Sequence, residues 1–138
     1  MQDRDRGKQH TPALATQIRD FSGLRYGKIT PTDIDCYLDF GDRLHVFTDA
    51  KLPGIDLPNG QRLALERLVD DMNDRGRYAL GIICEHPNRV GVIDFATCEV
   101  VKYRFRRRWL VPQMPMDTKT AIDTMLKLCR LEYYIGKG

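Results

Sequence analysis

The sequence lacks the marks of membrane, secreted and disulfide-rich proteins. No apolar run approaches the ~20 residues that a membrane-spanning helix needs, so we expect no membrane partner. The charged start, MQDRDRGKQH, contains no apolar segment, which predicts no secretory signal and a cytoplasmic location. The four cysteines are scattered and form no CxxC pair, which is typical of reduced thiols rather than a disulfide framework or a zinc site.

Positive and negative charges nearly balance over the whole sequence. The net charge is +3 over 138 residues, so total charge does not by itself indicate a nucleic-acid partner. The positive charge is locally concentrated, because five of the seven residues from Lys102 to Arg108 are basic. With 42% hydrophobic and 30% charged residues, the composition predicts a soluble globular protein with a sizeable core.

The order of apolar patterns predicts an α/β fold, a mixed β-sheet flanked by helices. We expect a flexible arm over residues 1–10 and a single domain over 11–138. The predicted elements follow the order α-β-β-α-β, with an extra hairpin and helix at the C-terminal end. Their approximate ranges are a helix from Thr11 to Ser22–Gly23, strands Asp33–Phe40 and Leu44–Lys51, a helix Gln61–Asn73, a strand Tyr78–Cys84, a hairpin of Arg89–Phe95 with Cys98–Phe105, and a helix that begins at Asp117 or Thr118.

Acidic and basic residues stand at matching ends of the first predicted hairpin. Asp35, with Asp33 nearby, lies at the start of the first strand, and Asp49 and Lys51 end the second. Side chains alternate along a strand, so Asp49 and Lys51 share one face. Whether Asp35 joins them depends on the length of the turn between the strands.

The register of the hairpin decides whether the two acids meet. A two-residue turn would point Asp49 away from Asp35. A three-residue loop, Gly41–Arg43, would instead pair Phe40 with Leu44 and Asp35 with Asp49. Only this second register separates an apolar face from a face that carries the acids, so we expect it.

Two carboxylates at directly opposite positions repel each other. A divalent cation between them would remove that repulsion, and Mg²⁺ (or Mn²⁺) suits oxygen ligands while keeping waters for a phosphate and a nucleophile. A lysine two residues along the strand could stabilise the charge that grows on the phosphate. The pattern therefore predicts a metal site with a neighbouring lysine.

This arrangement is similar to the PD-(D/E)xK nuclease superfamily, in which an Asp opens one strand and an acid-x-Lys follows on the next. The resemblance implies a restriction endonuclease-like fold and metal-dependent hydrolysis of phosphodiester bonds in DNA (or RNA). It implies that Asp35, Asp49 and the carbonyl of Ala50 bind the metal and that Lys51 assists the attack of water. Gln61, which opens the next helix, matches a glutamine of some exonuclease-like members.

The chain also departs from that family. The exonuclease-like members usually carry a tyrosine four residues after the glutamine, where this chain has Leu65. Many members carry an acid on their first helix, and the candidate here, Asp20, lies off the apolar stripe of the predicted helix. Many nucleases of this size work as homodimers, because cutting two strands needs two sites.

The basic stretch KYRFRRRW is the predicted contact with a nucleic-acid backbone. Alternation along a continuous strand would place Lys102, Arg104, Arg106 and Arg108 on one face, with Arg107 as an additional positive charge. A solvated edge strand that is protected by charge explains the same pattern.

Two alternatives to an active nuclease remain open. In the first, the chain is a nuclease-fold protein that binds nucleic acid or a protein partner and no longer cuts. Asp49 in place of the commoner glutamate is compatible with that alternative. In the second, the chain is a small adaptor protein in which the acidic cluster has no catalytic role.

Overall fold

A computed structural model of the chain describes residues 20–87 and 90–137. Backbone contacts divide the chain into two compact units, Thr32–Ile135 and Met1–Pro31 with Gly136–Gly138. In the described part of the unit that contains Met1–Pro31, a 3-10 turn spans Ser22–Leu24 and an isolated bridge joins Tyr26 to Ile29. The predicted arm and the predicted helix as far as residue 19 lie outside the described residues. Where the structure describes helices, none is long and apolar enough to cross a membrane.

The unit Thr32–Ile135 is of the α/β class, as predicted. Its described elements are β1 (Cys36–Phe40), β2 (Leu44–Lys51), α1 (Asn59–Asp74), β3 (Tyr78–Glu85), β4 (Glu99–Phe105), β5 (Arg108–Leu110) and α2 (Thr118–Leu128). The strands form one mixed sheet in the order β1-β2-β3-β4-β5. The parallel neighbours are β2 and β3, which α1 connects, and the other three pairs are antiparallel.

The β1–β2 hairpin has the predicted three-residue register. Phe40 pairs with Leu44, which leaves Gly41–Arg43 as the loop. Gly41 and Asp42 both have φ of 61°, a region that glycine and aspartate enter more readily than most residues. A Cβ at Gly41 would also lie 3.0 Å from the hydroxyl of Tyr134, so glycine suits this position for two reasons.

The sheet has an apolar cluster on each face, one under each helix. Strand β3 contributes to both, which accounts for its nearly continuous apolar sequence. The acid-bearing face of β2 is therefore also a core face, since Phe47 on it is buried against α1. The larger cluster, on the α2 side, includes Leu44, Val46, Leu80, Ile82, Val100, Ile122, Met125, Leu126 and Leu131, and the α1 side includes Phe47, Leu65, Val69, Ala79 and Ile83.

Gly81 allows α1 to pack closely on the centre of the sheet. A Cβ at this position would lie 3.1 Å from Val69 Cγ2 and 3.3 Å from Leu65 Cγ. Real Cβ contacts are rarely so short, so a larger residue would move the helix away from β3. The first turn of α1 lies beside the end of β2, where both elements line one cavity.

The prediction of a second hairpin, Arg89–Phe95 with Cys98–Phe105, is wrong. The described residues from Val90 to Asp94 form no strand, and a 3-10 turn follows at Phe95–Thr97. Val90 and Val92 are 87% and 77% exposed, and Ile93 and Phe95 are partly buried against the core, so the apolar residues of this segment do not by themselves indicate a strand. The antiparallel partners of β4 are β3 and β5 instead.

The chain reverses direction inside the basic stretch. Arg106 and Arg107 have φ of 48° and 66° and form the two-residue turn between β4 and β5. The expected alternation along one continuous strand is therefore wrong, and Trp109 pairs with Arg104 and lies on its face instead of the opposite one. All four cysteines are free, as predicted.

Candidate functional site

Asp35 and Asp49 come together at the open end of the β1–β2 hairpin. The backbone N–H of Asp35 donates to Asp49 Oδ1 over 2.9 Å, and the backbone N–H of Ala50 donates to Asp35 Oδ2, also over 2.9 Å. Each carboxylate thus accepts a hydrogen bond from the backbone of the other strand. This reciprocal contact follows from the hairpin register, because the ladder that ends at Cys36 and Thr48 places Asp35 and Asp49 at the next position.

Asp49 is a buried acid with an unused oxygen. The residue is 2% exposed, and its Oδ2 atom has no hydrogen-bond partner among the described residues. Burial raises the pKa of this carboxyl, the N–H of Asp35 opposes the rise, and the charges of Asp35 and Asp33 add to it. A buried polar atom without a partner is rare in folded proteins and calls for an explanation such as a ligand.

The donor set around this pair suits a site with few protein ligands. Over residues 20–87 and 90–137, no group of three or more His, Cys, Asp or Glu side chains is arranged to hold a metal ion. Mg²⁺ in enzymes is often held by one or two carboxylates, with waters and substrate phosphates completing the octahedron. Asp35 and Asp49 fit that minimal set, and Asp49 Oδ2 supplies an oxygen that no other group uses.

Lys51 lies at the end of β2 and is held by a residue that the sequence analysis missed. Its Nζ atom is 2.9 Å from Oε1 of Glu85, and the side chain is only 10% exposed. The two residues are register partners at the ends of the parallel strands β2 and β3. Parallel strands end at the same edge of a sheet, so the position of Glu85 at the end of the run YALGIICE was the signal that could have revealed it.

The two remaining residues of the predicted centre make weaker links to it. Ala50 contributes its backbone N–H to Asp35, and metal coordination by its carbonyl stays a prediction. Gln61 is half-buried in the first turn of α1. In the part of the chain that the structure describes, no hydrogen bond joins Gln61 to Asp35, Asp49 or Lys51. Leu65, four residues after Gln61, lies on the face of α1 that packs on the sheet and is fully buried.

The five predicted nucleic-acid contacts divide into two kinds. Arg104 makes two hydrogen bonds to Asp70, of 3.0 and 2.7 Å, and Arg107 pairs with Asp74, so acids of α1 compensate both. The side chains of Lys102, Arg106 and Arg108 have no ion pair among the described residues. Lys102 lies over the ring of Trp109, with Nζ 4.8 Å from the ring centroid, and Arg106 lies over Phe105.

A polar chain near the closed end of the hairpin was also missed. The hydroxyl of Tyr37 is 2.6 Å from Nδ1 of His45, and Nε2 of His45 is 2.8 Å from Oδ1 of Asp42. Burial and the charges of Asp39 and Asp42 raise the pKa of Tyr37. These hydrogen bonds join β1, β2 and the loop between them, and we assign them a structural role at the turn.

Comparison of the chain with protein-family models, with curated proteins and with solved structures returned no match.

Proposed function

We propose that the unit Thr32–Ile135 binds Mg²⁺ (or Mn²⁺) between Asp35 and Asp49 and hydrolyses phosphodiester bonds in DNA (or RNA). The proposal extends the resemblance to the PD-(D/E)xK nucleases. The observation that carries it is the buried Asp49, which shares a reciprocal hydrogen-bonded contact with Asp35 and retains an oxygen without a partner.

The energetics of the pair support a cation at this position. A buried carboxylate that lacks a partner costs free energy, and a second carboxylate beside it adds repulsion. A divalent cation would offset both costs at once. Without such a ligand, an asparagine at position 49 would keep the acceptor for the Asp35 N–H without the buried charge.

The residues of the chain would divide the work of hydrolysis as follows. Asp35 and Asp49 would hold the cation, and their backbone hydrogen bonds fix the orientation of both carboxylates. The cation would supply Lewis acidity toward a phosphoryl oxygen. Lys51 would donate a hydrogen bond to the phosphate or to the attacking water. The ion pair with Glu85 holds the ammonium group of Lys51 at the end of the strand.

A cleavage assay tests this proposal. The wild-type chain would be incubated with DNA and with RNA in Mg²⁺ or Mn²⁺, beside Asp49→Ala, Lys51→Ala and the control Asp71→Asn, which changes an exposed acid on α1. We expect cleavage that EDTA abolishes and that Asp49→Ala and Lys51→Ala each lower by roughly 100-fold or more, as the loss of a preorganised charged group does elsewhere. The control should cleave like the wild type. Cleavage by Asp49→Ala at the wild-type rate would contradict the proposal.

A nucleic-acid-binding protein of the same fold that does not cut is the second candidate. The ion pair of Lys51 with Glu85 favours it, because this lysine already has a carboxylate partner. In that case salt-dependent binding of DNA or RNA would occur without cleavage in either metal.

A further inference from the structure

A cavity of about 290 Å³ opens beside Lys51, on the α1 side of the sheet. Three elements each contribute one cation to its wall: Lys51 from the end of β2, Arg62 from α1 and Lys102 from β4. Asp56 is the acid that lines it. The volume accommodates a phosphate group and several waters, since one water occupies about 30 Å³ in the liquid.

The cations of this cavity are held in place by a connected set of side chains. Lys102 lies over the ring of Trp109, and the indole N–H of Trp109 donates to Glu66 Oε1 over 2.6 Å. The same Glu66 oxygen is 2.7 Å from Nη1 of Arg62. One glutamate therefore orients both the guanidinium and the ring that supports the ammonium, which fixes two positive charges before any ligand binds.

A local irregularity in the sheet helps to aim Lys102. Lys102 pairs with Ile83, whereas Cys84 pairs with Val100, so Val101 is an extra residue in β4. Bulges of this kind redirect side chains and often occur beside functional sites. Both Val101 and Lys102 line the cavity as a result.

In the described structure, the cavity wall carries one acid, Asp56, beside its three cations, and Lys102 is the cation that an anion could contact without displacing a carboxylate. Glu85 compensates Lys51 and Glu66 compensates Arg62, but Lys102 has no carboxylate partner in the ranges the structure describes. The first turn of α1, which contributes Asn59 to the wall, contains no acidic residue, and its N-cap Pro58 supplies no side-chain hydrogen bond. The N–H groups at such a helix start add to the attraction for an anion.

We infer that this cavity binds a backbone phosphate of the nucleic-acid strand, next to the phosphate that is hydrolysed. The inference rests on the proposed function, because Lys51 belongs both to the cavity and to the proposed catalytic centre. It assigns Arg62 and Lys102 to positioning of the strand, and it names a phosphodiester as the ligand class.

The test measures binding of a short fluorescein-labelled single-stranded DNA to the full chain by fluorescence anisotropy in EDTA, which prevents cleavage. Lys102→Gln removes the charge and keeps most of the stem that packs on Trp109. We expect it to weaken binding by about tenfold at low salt and to lower the salt slope by about one. The matched control is Arg67→Gln, an exposed cation on α1. Equal effects of the two substitutions would overturn the inference.

A second measurement needs no substitution. Inorganic phosphate would be titrated into the wild-type chain while backbone amide resonances are followed by NMR. We expect saturable shifts at Gly60, Arg62 and Lys102, around the cavity. Shifts that are absent there, or that spread evenly over the basic surface, would count against the site.

These experiments separate the failure of the cavity from the failure of the proposed function. If Lys102→Gln weakens DNA binding while no metal supports cleavage, the cavity stands and catalysis does not. If the chain cleaves DNA and Lys102→Gln binds like Arg67→Gln, catalysis stands and the cavity assignment is wrong.

Discussion

At the scale of single residues, the main point is what burial does to Asp49. The residue is 2% exposed, so water solvates the charge of its carboxylate poorly, and among the described residues this carboxylate accepts a hydrogen bond from the backbone of Asp35 alone. The sequence suffices to predict that Asp49 and Asp35 meet, because alternation and loop length determine it. The sequence does not reveal that Asp49 is buried or that Glu85 forms an ion pair with Lys51, since both depend on neighbours across the parallel pair β2–β3.

The raised pKa of Asp49 predicts how stability depends on pH. The folded chain binds this proton more tightly than the unfolded chain, whose pKa stays near 3.8. The contribution to stability is therefore full below pH 3.8 and is lost as the pH rises through the raised value. We expect Asp49→Asn, which keeps the acceptor for Asp35, to be more stable than the wild type at neutral pH without metal, by on the order of 1–3 kcal/mol. Urea unfolding of the wild type and of Asp49→Asn, at neutral pH and below pH 3.8, measures this difference.

The control for that prediction is Asp74→Asn. Arg107 lowers the pKa of Asp74, so this substitution should lower stability slightly at neutral pH and have no effect at low pH. If Asp49→Asn were less stable than the wild type at neutral pH in EDTA, the account of a costly buried charge would be wrong.

At the scale of elements, the β1–β2 hairpin and the β4–β5 hairpin differ in how well the sequence predicts them. The first has a strict alternation on both sides of Gly41–Arg43, so only one register buries its apolar residues. In the second, the turn falls on Arg106 and Arg107, where no glycine or asparagine marks a left-handed conformation. The turn is contacted from α1 by Asn73, whose side-chain oxygen accepts a hydrogen bond from the backbone N–H of Arg106, and a local pattern cannot reveal such a long-range contact.

Two adjacent arginines with positive φ are costly, and residues under such strain often serve a function. Replacing Arg106 by Asn and Arg107 by Gly would give the turn its preferred residues. We expect the free energy of unfolding of this double variant to be about 1 kcal/mol higher than that of the wild type, because the relief of backbone strain exceeds the loss of the exposed Arg107–Asp74 ion pair. We also expect weaker DNA binding and a lower salt slope.

The matched control replaces both arginines by lysine, which keeps the charge and the strain. Its stability and its DNA affinity should stay close to those of the wild type. Unchanged DNA binding by the variant with Asn and Gly would show that the turn has no part in recognition, whatever its effect on stability.

At the scale of the whole unit Thr32–Ile135, one sheet packs between α1 and α2, and the proposed chemistry lies where β2 and β3 end beside the start of α1. The class of fold, the first hairpin, both helices of this unit and the central strand were predictable, because their periodic patterns are long and unambiguous. The cavity between Lys51, Arg62 and Lys102 was not, since three separate elements and a β-bulge assemble it.

The proposal that Asp35 and Asp49 hold a divalent cation can be tested without any substrate, by calorimetric titration of the wild-type chain with Mn²⁺. Asp49→Asn and the control Asp71→Asn would be titrated under the same conditions. We expect one saturable site per chain in the wild type and in Asp71→Asn, and loss of that site in Asp49→Asn. No Mn²⁺ binding by the wild type, or equal binding by Asp49→Asn, would contradict it.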